Sequence, residues 1–418
     1  MRRSRVRSPN ERVGARGIVH TVKNAHPLDA ADPLAPHRDL FVRADGVIAY
    51  LDGNSLGRPL AASADRIAAF IADQWGTRLI RGWDESWLDL PLHIGDEIGR
   101  ITLGAAAGQT TIGDSTTVLL YKLVRAAVDA RPDRTELVID RDNFPTDRYV
   151  IEGIASERNL TVRWIESADG VTEADVAAAV SENTAVVVLS HVAYRSGYLA
   201  DVPAITAVVH RSGALMLWDL CHSTGVVPTE LDAWGVDLAV GCTYKYLNGG
   251  PGSPAFAYVR AELQASLRQP IWGWLGSATP FEMGQGYEPA AGIRGFLSGT
   301  PPIVGMLALQ DMLALIDLVG LDAVRAKSVA LTEYALALSD ELLPGVTVAT
   351  PRESDLRGSH ITLDDDRFAD LMPELWTRGI IPDFRKPNGI RLGLSPLSTS
   401  FAEVEIGVRT IAELLAAR

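Results

Sequence analysis

Short apolar runs alternate with amphipathic segments between residues 100 and 260. Five of these runs are rich in Val, Leu or Ile and too short to be helices, as expected of strands buried on both faces of a sheet. They cover residues 137–140, 185–189, 214–219, 238–243 and 255–259. Helical patterns fill the intervals, most clearly over 117–130 and 173–180. The pattern predicts an α/β fold with a mostly parallel sheet.

The pattern changes after Gly320. It predicts a long helix, three strands and a closing helix, over residues 322–342, 346–349, 360–363, 390–394 and 402–416. We therefore expect a large domain over residues 56–315 and a smaller α+β domain over residues 316–418. Residues 1–55 are expected to pack with the small domain or with a partner subunit.

Charge and hydropathy narrow the classes of partner. Acidic residues outnumber basic ones by 52 to 39, which gives a formal charge of −13. Such a surface repels a phosphate backbone, so nucleic acid is not an expected partner. The apolar segment 304–319 is interrupted by Gln310, Asp311 and Asp317, so we expect no membrane span.

The cysteines and the N-terminus indicate a compartment. Cys221 and Cys242 both lie in strand-like runs, which predicts neither a disulfide framework nor a metal site. The arginine-rich start of the chain lacks the apolar segment that follows the basic part of a secretory signal. We therefore expect a cytoplasmic protein.

Polar side chains follow the apolar runs where parallel strands should end together. Asp219 closes the run 214–219, and Lys245 follows the run 238–243. Ligands bind at this edge of an open α/β sheet. Two interpretations remain open: a buried ion pair, or a pyridoxal phosphate site in which Lys245 forms a Schiff base and Asp219 pairs with the pyridine nitrogen.

The surroundings of Lys245 favour the cofactor interpretation. Of the five lysines in the chain, only Lys245 follows a predicted strand. The glycine-rich tract 249–252 permits a close approach of backbone to ligand, although a tight turn would use the same residues. The Gly-Asp-Ser-Thr-Thr segment 113–117 precedes a predicted helix and could bind phosphate or only cap that helix.

Several motifs in the same order along the chain resemble the kynureninase family, pyridoxal phosphate enzymes of the class V aminotransferase group with the aspartate aminotransferase fold (fold type I). The motifs are YLDGNSLG at 50–57, LIRGW at 79–83, NFPTD at 143–147, the segment 218–252, GWLG at 273–276, GTPP at 299–302, DFR at 383–385, Arg391 and PL at 396–397.

The resemblance assigns a role to each matching position. Lys245 would be the Schiff-base lysine, Asp219 the partner of the ring nitrogen and Tyr244 a further catalytic group. The other cofactor-binding residues would be Thr116, Thr117, Phe144, Asp147, Ser190, His222, Trp274 and Thr300. The substrate would be held by Arg391 at its α-carboxylate and by Asn54, Trp83 and Gly299. Thr300 usually reaches the phosphate of a partner subunit in this fold, which implies a homodimer with shared active sites.

The reaction implied is hydrolytic Cβ–Cγ cleavage of L-kynurenine or 3-hydroxy-L-kynurenine through a cofactor ketimine. It gives L-alanine and anthranilate or 3-hydroxyanthranilate, in tryptophan catabolism or NAD biosynthesis. The alternatives are a class V aminotransferase, a hydrolase of another β-acyl alanine, or a degenerate homologue without turnover. A cysteine desulfurase is disfavoured because both cysteines resemble small buried apolar residues.

Two departures from the family pattern concern substrate choice. Val118-Leu119-Leu120 stands where Val-Asn-Leu is usual, and Pro396-Leu397-Ser398 stands where Pro-Leu-Tyr is usual. Neither departure removes a catalytic group.

Overall fold

A seven-stranded sheet forms the centre of the larger part of the molecule. The computed structural model describes residues 26–167 and 170–418, so the arginine-rich N-terminus lies outside the described residues. The sheet order is β2-β8-β7-β6-β5-β3-β4, and β8 runs in the opposite direction to the other six strands. The strands are β2 Thr110–Ile112, β3 Glu136–Asp140, β4 Thr161–Ile165, β5 Thr184–Ser190, β6 Leu215–Asp219, β7 Leu238–Gly241 and β8 Phe256–Val259. The predicted α/β fold with a mostly parallel sheet is confirmed.

Helices cover both faces of this sheet, which is why its strands read as unbroken apolar runs. Alternate residues of β6 enter different cores: Leu215 and Leu217 pack with α5 and α6, whereas Met216 and Trp218 pack with α8 and α10. The helices of this part are α2 Ala61–Ala69, α3 Gly76–Arg78, α4 Leu90–Ile98, α5 Thr116–Asp129, α6 Pro145–Arg158, α7 Glu173–Ala179, α8 Val202–Arg211, α9 Ala261–Gln264 and α10 Ile303–Val319.

A second sheet of five strands forms the centre of the smaller part. Its order is β1-β11-β12-β10-β9, and its first strand comes from the N-terminal segment, where Ala49–Leu51 pairs in parallel with β11. The elements are α1 Pro27–Ala30, β1 Ala49–Leu51, α11 Leu321–Leu342, β9 Thr347–Val348, β10 His360–Asp364, α12 Phe368–Thr377, β11 Ile380–Arg385, β12 Gly389–Gly393 and α13 Phe401–Ala416.

The chain turns sharply between the two parts. No single helix among the described residues is long and apolar enough to cross a membrane. Helices α10 and α11 satisfy that criterion only together, and they are bent by 89° at Gly320. The predicted domain boundary at 315/316 falls inside α10, one turn before this bend; the division into domains stays a prediction.

Buried charges attach the N-terminal segment to the smaller part. Asp32 pairs with Lys327 of α11, and both side chains are almost fully buried. The ammonium of Lys327 also lies 4.5 Å from the ring centre of Phe401. Asp29 accepts hydrogen bonds from the backbone N–H groups of Phe401 and Ala402, both at 3.0 Å, at the start of α13. The carboxylate thereby satisfies two N–H groups that a helix start leaves free.

Loss of the Asp32 carboxylate should destabilise the fold strongly. In Asp32→Ala the Lys327 ammonium stays buried without its counterion, and the free energy of unfolding should fall by about 3–5 kcal/mol. Chemical denaturation measures the difference. Asp340→Ala, in the same helix as Lys327, removes an exposed pair with Arg352 and should cost less than about 1 kcal/mol. Equal losses in the two variants would contradict the importance of the buried pair.

Candidate active site

Lys245 lies in the loop after β7, at the carboxyl edge of the large sheet. Its Nζ is 3.1 Å from Nε2 of His222, and it stands 5.9 Å from the ring centres of both Phe144 and Tyr244. Burial lowers the pKa of His222 well below its usual value, and the Lys245 ammonium adds to this effect. His222 is therefore a neutral imidazole in contact with the lysine nitrogen.

Two carboxylates are buried beside this lysine. Asp219 ends β6, and its Oδ1 accepts a 2.8 Å hydrogen bond from the backbone N–H of Cys221. Burial raises the pKa of Asp147 well above its ordinary value, and the neighbouring Asp219 carboxylate adds to the rise. Asp147 is thus protonated, and its Oδ2 has no hydrogen-bond partner among the described residues. Asp219 and Lys245 both act electrostatically on Asp147, so the three groups lie close together.

The backbone of the Lys245 loop is held by a close contact with the N-terminal segment. Gly57 donates its N–H to the carbonyl oxygen of Tyr244 at 2.9 Å. A Cβ on Gly57 would lie 2.3 Å from the carbonyl oxygen of Lys245, so only glycine fits. The motif at 50–57 therefore helps to position Lys245 and also contributes most of strand β1 to the five-stranded sheet.

Phe144 and Ser190 are joined through Asn143. The side-chain oxygen of Asn143 accepts hydrogen bonds from the Phe144 backbone N–H at 2.7 Å and from Ser190 Oγ at 3.2 Å. Phe144 thereby stands at the start of α6 with its ring edge-to-face against Tyr194, at 5.3 Å between centroids. This fixes the aromatic face that lies next to Lys245.

Arg391 of β12 is fully buried where the N-terminal segment meets the carboxyl edge of the large sheet, here called the rim. Its guanidinium donates to Ser55 Oγ at 2.7 Å and to the carbonyl oxygen of Tyr194 at 2.6 Å, and it pairs with Asp383 at 2.7 Å. With its amide turned so that the oxygen faces the guanidinium, Asn54 accepts from Arg391 Nε at 3.0 Å. Burial lowers the pKa of Arg391, and the nearby Arg385 adds to this.

Thr116 and Thr117 open helix α5, whose N-cap is Ser115. Thr117 is exposed and Thr116 is half-buried, and the backbone N–H of Val118 donates to Ser115 Oγ at 3.4 Å. A cavity of about 270 Å³ adjoins this segment and is lined by Gly113, Asp114 and residues 297–302. Hydroxyls and helix N–H groups of this kind suit a phosphate.

Trp83, Trp274 and Thr300 form a third group. Trp274 Nε1 donates to Thr300 Oγ1 at 3.3 Å, and the Trp83 and Trp274 rings meet edge-to-face at 5.8 Å. Trp83 and Thr300 also line an apolar groove of about 940 Å³, and Gly299 is exposed next to it. The chain therefore brings most of its predicted site residues together in three groups, around Lys245, Arg391 and Trp274, while Thr116 and Thr117 stand apart at the start of α5.

Sequence reasoning missed several residues of these groups. Four of them lie inside the recognised motifs: Asp52, Ser55, Asn143 and Asp383. Each is close in sequence to a predicted site residue, and this proximity could have indicated that it belongs to the site. Tyr194 and His360 lie outside every motif, so no pattern in the sequence pointed to them. Burial raises the pKa of Asp52 to about 6, with the nearby Asp383 adding to the effect.

The departure at Leu119 has a structural explanation. Leu119 and Leu120 are buried in the core that α5 and α6 form with the large sheet. An apolar residue at 119 therefore contributes packing, away from the side chains that face the rim. Ser398 is also buried, and its backbone N–H donates to the carbonyl oxygen of Ser395 at 3.1 Å.

Comparison with known proteins identifies the family. A profile described as "Kynureninase C-terminal domain" matches residues 324–411, and one described as "Cys/Met metabolism PLP-dependent enzyme" matches residues 93–253. The chain is 42% identical over 406 residues to a kynureninase of Burkholderia pseudomallei (strain 1106a), covering 95% of this chain and 96% of the relative. It is 41% identical to a kynureninase of Pseudomonas fluorescens over 398 residues, 93% of this chain and 94% of the relative.

The chain belongs to the kynureninase family. Its cofactor is pyridoxal 5'-phosphate. The residues present fit that group, because a buried carboxylate pair with one unpartnered oxygen faces the lysine and an aromatic ring stands beside it.

Solved structures show the same fold at low sequence identity. A cysteine desulfurase from Thermococcus onnurineus NA1 superposes with a TM-score of 0.79 at 17% identity, covering 92% of this chain and 98% of that one. The cysteine desulfurase CsdA from Escherichia coli gives 0.77 at 16% identity, with coverages of 92% and 98%. The predicted fold type I architecture is confirmed.

Asp140 is a further buried carboxyl group at the carboxyl edge of the large sheet. Asp140, which closes β3, lines a cavity of about 460 Å³ together with Asn143, and Asn143 Nδ2 donates to its Oδ1 at 2.8 Å. Burial raises the pKa of Asp140 to about 6. The folded state thus holds its proton more tightly than the unfolded chain, whose carboxyl has a pKa near 3.9. The cost of the buried carboxylate is absent below pH 4 and complete above pH 6.

Asp140→Asn should therefore stabilise the protein in a pH-dependent manner. The amide keeps the contact with Asn143 and carries no charge, so the free energy of unfolding should rise by about 2 kcal/mol at pH 8 and remain unchanged at pH 4. Denaturation curves from pH 4 to pH 8 measure the difference. Asp142→Asn makes the same change at an exposed neighbour and should have little effect at either pH. A gain that does not depend on pH would contradict the stated cause.

Proposed function

We propose that the protein catalyses the hydrolytic cleavage of the Cβ–Cγ bond of L-kynurenine or 3-hydroxy-L-kynurenine. The products are L-alanine and anthranilate or 3-hydroxyanthranilate. The observation that carries the proposal is the identity of 41–42% with kynureninases over almost the whole chain. The geometry supports it, because buried Lys245, Asp219 and Arg391 provide one group for each of the amine, ring and carboxylate functions that the reaction needs.

The residues around Lys245 would hold the cofactor. Asp219 with Asp147 would pair with the ring nitrogen, Phe144 and His222 would lie at the ring, and Ser190 would lie at its edge. Thr116, Thr117, Tyr244, Trp274 and Thr300 would bind the phosphate or the cofactor edge. When bound, pyridoxal phosphate supplies a protonated pyridine ring that accepts the electron pair released at the substrate Cα. A carboxylate of Asp219 beside the ring nitrogen would favour its protonated form.

Lys245 moves the proton at Cα. Its amine would be the base that takes this proton, and Nε2 of His222, 3.1 Å from Nζ, would hold the nitrogen in place. Burial among Phe144, Tyr244 and His222 keeps bulk water from the amine. Proton transfer then occurs between fixed partners.

Arg391 would hold the α-carboxylate of the amino-acid substrate. A guanidinium suits this task because its paired donors match a carboxylate. Asp383, Ser55 and Asn54 already fix its plane, so the group is rigid before substrate arrives. A substrate carboxylate would take up the donor that faces Asp383 or Ser55.

Tyr244 would relay protons during addition of water to the γ-carbonyl. Burial raises the pKa of Tyr244, so the phenol stays protonated and can donate at neutral pH. Trp83 and Gly299, next to the apolar groove, would lie near the aromatic end of the substrate. An aromatic amino acid would place its polar end near Arg391 and Lys245 and its aromatic ring near the apolar groove.

Product analysis tests the activity. Purified protein with pyridoxal phosphate should convert L-kynurenine to equal amounts of anthranilate and alanine, measured by the fluorescence of the aromatic amine and by amino-acid analysis. Lys245→Ala should lose the visible absorbance of the bound cofactor and about a thousandfold or more of the activity. Lys386→Ala, which removes an exposed lysine, should keep both.

Other product ratios would identify a different enzyme. Alanine without an equal amount of aromatic acid would indicate a class V aminotransferase, and turnover only of other β-acyl alanines would indicate a hydrolase of different specificity. No turnover of any of these by a protein that binds the cofactor would indicate a homologue without catalysis.

We further propose that the protein is a homodimer and that the second copy completes the active site. The apolar groove has exposed apolar side chains along it, including Trp75 and Val304, and Leu79 and Ile80 next to it are also exposed. Contiguous exposed apolar surface of this kind favours a protein partner. Thr300 and Trp83 line the same groove, so a second copy bound there would contact these two predicted site residues.

A charge in the groove should separate the subunits. Val304→Asp should change the mass in sedimentation velocity from twice that of one chain towards that of one chain, because the aspartate would be buried in the interface. Leu318→Asp places the same charge on an exposed leucine near the other end of α10 and should leave the dimer intact. A wild-type protein with the mass of one chain would contradict the proposal.

Mixing of subunits shows whether Thr300 serves the partner. A hybrid of Lys245→Ala and Thr300→Val chains regains one intact site only if Thr300 acts across the interface. If Thr300 acts within its own chain, both sites of the hybrid carry a defect and activity does not recover.

We also propose that the protein acts in the cytoplasm. Cys221 and Cys242 follow adjacent strands and are both free thiols, which fits the reducing conditions of the cytoplasm. The reaction would serve tryptophan catabolism or NAD biosynthesis, depending on the aromatic acid that is released.

A further inference from the structure

His360, the first residue of β10, is a buried histidine that the proposed mechanism does not use. Its side chain is inaccessible to solvent, and both ring nitrogens lack a hydrogen-bond partner among the described residues. A buried imidazole that forms no hydrogen bond is costly, so its position calls for a ligand or a close polar neighbour.

The nearest polar ring is His222. The two ring centroids are 5.4 Å apart, and the rings are tilted by 57°. The opposite edge of His360 faces the turn between Ala193 and Gly197, where its Nε2 lies 3.3 Å from the position of a Cβ built on Gly197. The carbonyl oxygen of Ala193 accepts the Gly197 backbone N–H at 2.9 Å and raises the pKa of His360, so it lies close to the ring although no hydrogen bond to the ring is formed. His360 therefore lies between His222 and a backbone carbonyl.

Besides burial, three cations lower the pKa of His360, and the one with the largest effect, Arg391, is paired with Asp383 at 2.7 Å. The three cations are Arg391 on β12, Lys245 in the loop after β7 and Arg385 on β11. Burial lowers the pKa of His360 well below its usual value, and these cations lower it further. The ring is therefore neutral, with one nitrogen that donates and one that accepts.

The contact between His222 and Lys245 determines which nitrogen of His222 carries the proton. The lysine ammonium has only donors, so Nε2 of His222 must accept across the 3.1 Å contact. The proton of neutral His222 then sits on Nδ1, and Nδ1 has no partner among the described residues. The arrangement lacks an acceptor for this N–H.

We propose that His360 is a positioning residue that accepts the Nδ1–H of His222 through one water and donates its own Nε2–H to the carbonyl oxygen of Ala193. This completes a directed chain of hydrogen bonds from Lys245 through His222 and His360 to the backbone. The inference rests on the proposed role of Lys245 as the cofactor lysine.

The chain of hydrogen bonds has a consequence at the lysine nitrogen. With its tautomer fixed, His222 keeps a lone pair directed at that nitrogen and stabilises its protonated form. Without an acceptor at residue 360, the proton of His222 can move to Nε2. There it would point at the lysine nitrogen and disfavour the protonated form of that nitrogen. The lysine–cofactor linkage would then lose its proton at lower pH.

A pair of isosteric variants of the holoenzyme tests the inference. In His360→Met the pH midpoint of the change in visible cofactor absorbance should fall by about one pH unit, as expected for loss of a hydrogen bond that favours a charged group. His360→Gln, whose amide both accepts and donates, should titrate close to wild type. His191→Gln replaces another buried histidine with an unpartnered nitrogen, packed against Trp218 and Trp234, and should leave the midpoint unchanged.

A measurement on the wild-type protein does not depend on how the variants fold. Nitrogen NMR of ¹⁵N-histidine-labelled holoenzyme should show His222 protonated at Nδ1 and His360 protonated at Nε2. The opposite tautomer of His222, or equal midpoints for wild type and His360→Met, would overturn the inference alone. A wild-type protein without a visible cofactor band would overturn the proposed role of Lys245, and this inference with it.

Discussion

The burial of charge at the carboxyl edge of the large sheet is the constraint on which the site depends. Asp219, Asp147 and Lys245 are all nearly inaccessible to solvent, and an isolated charge in such a place is too costly to keep. The cost is reduced because the raised pKa of Asp147 favours its neutral form and because Lys245 lies beside the two carboxyl groups. Strands β6 and β7 pair in parallel with Asp219 opposite Val240, so the sheet itself sets the distance between the acid and the lysine loop.

The second buried cation, Arg391, joins parts of the chain that are distant in sequence. Its guanidinium contacts the N-terminal segment at Ser55, the turn at Tyr194 and the hairpin at Asp383. Tyr194 in turn packs against Phe144, which links the arginine to the Lys245 group. The contacts of Arg391 therefore form only when both sheets and the N-terminal segment have folded together. This explains why β1 is added to the small sheet and why Asp32 attaches the same segment to α11.

The sequence predicted the elements of the large sheet well because its strands are buried on both faces. Runs such as 185–189 and 214–219 coincide with β5 and β6 to within two residues. The strand ends then indicated Asp219 and Lys245, since parallel strands share an edge. His360 and Tyr194 could not be predicted in this way. Each becomes part of the site through contacts between the two sheets, and such contacts leave no periodic signal in one segment.

The fold alone does not decide the chemistry. Cysteine desulfurases at 16–17% identity share this architecture over more than nine-tenths of their length, so strand order and helix placement are compatible with more than one reaction. What separates the reactions is the set of side chains at the rim. Here Cys221 uses its backbone N–H to fix Asp219, and Cys242 is buried behind Tyr244. Cys242 Sγ donates to the carbonyl oxygen of Cys221 at 3.7 Å, so both cysteines belong to the packed edge of the sheet.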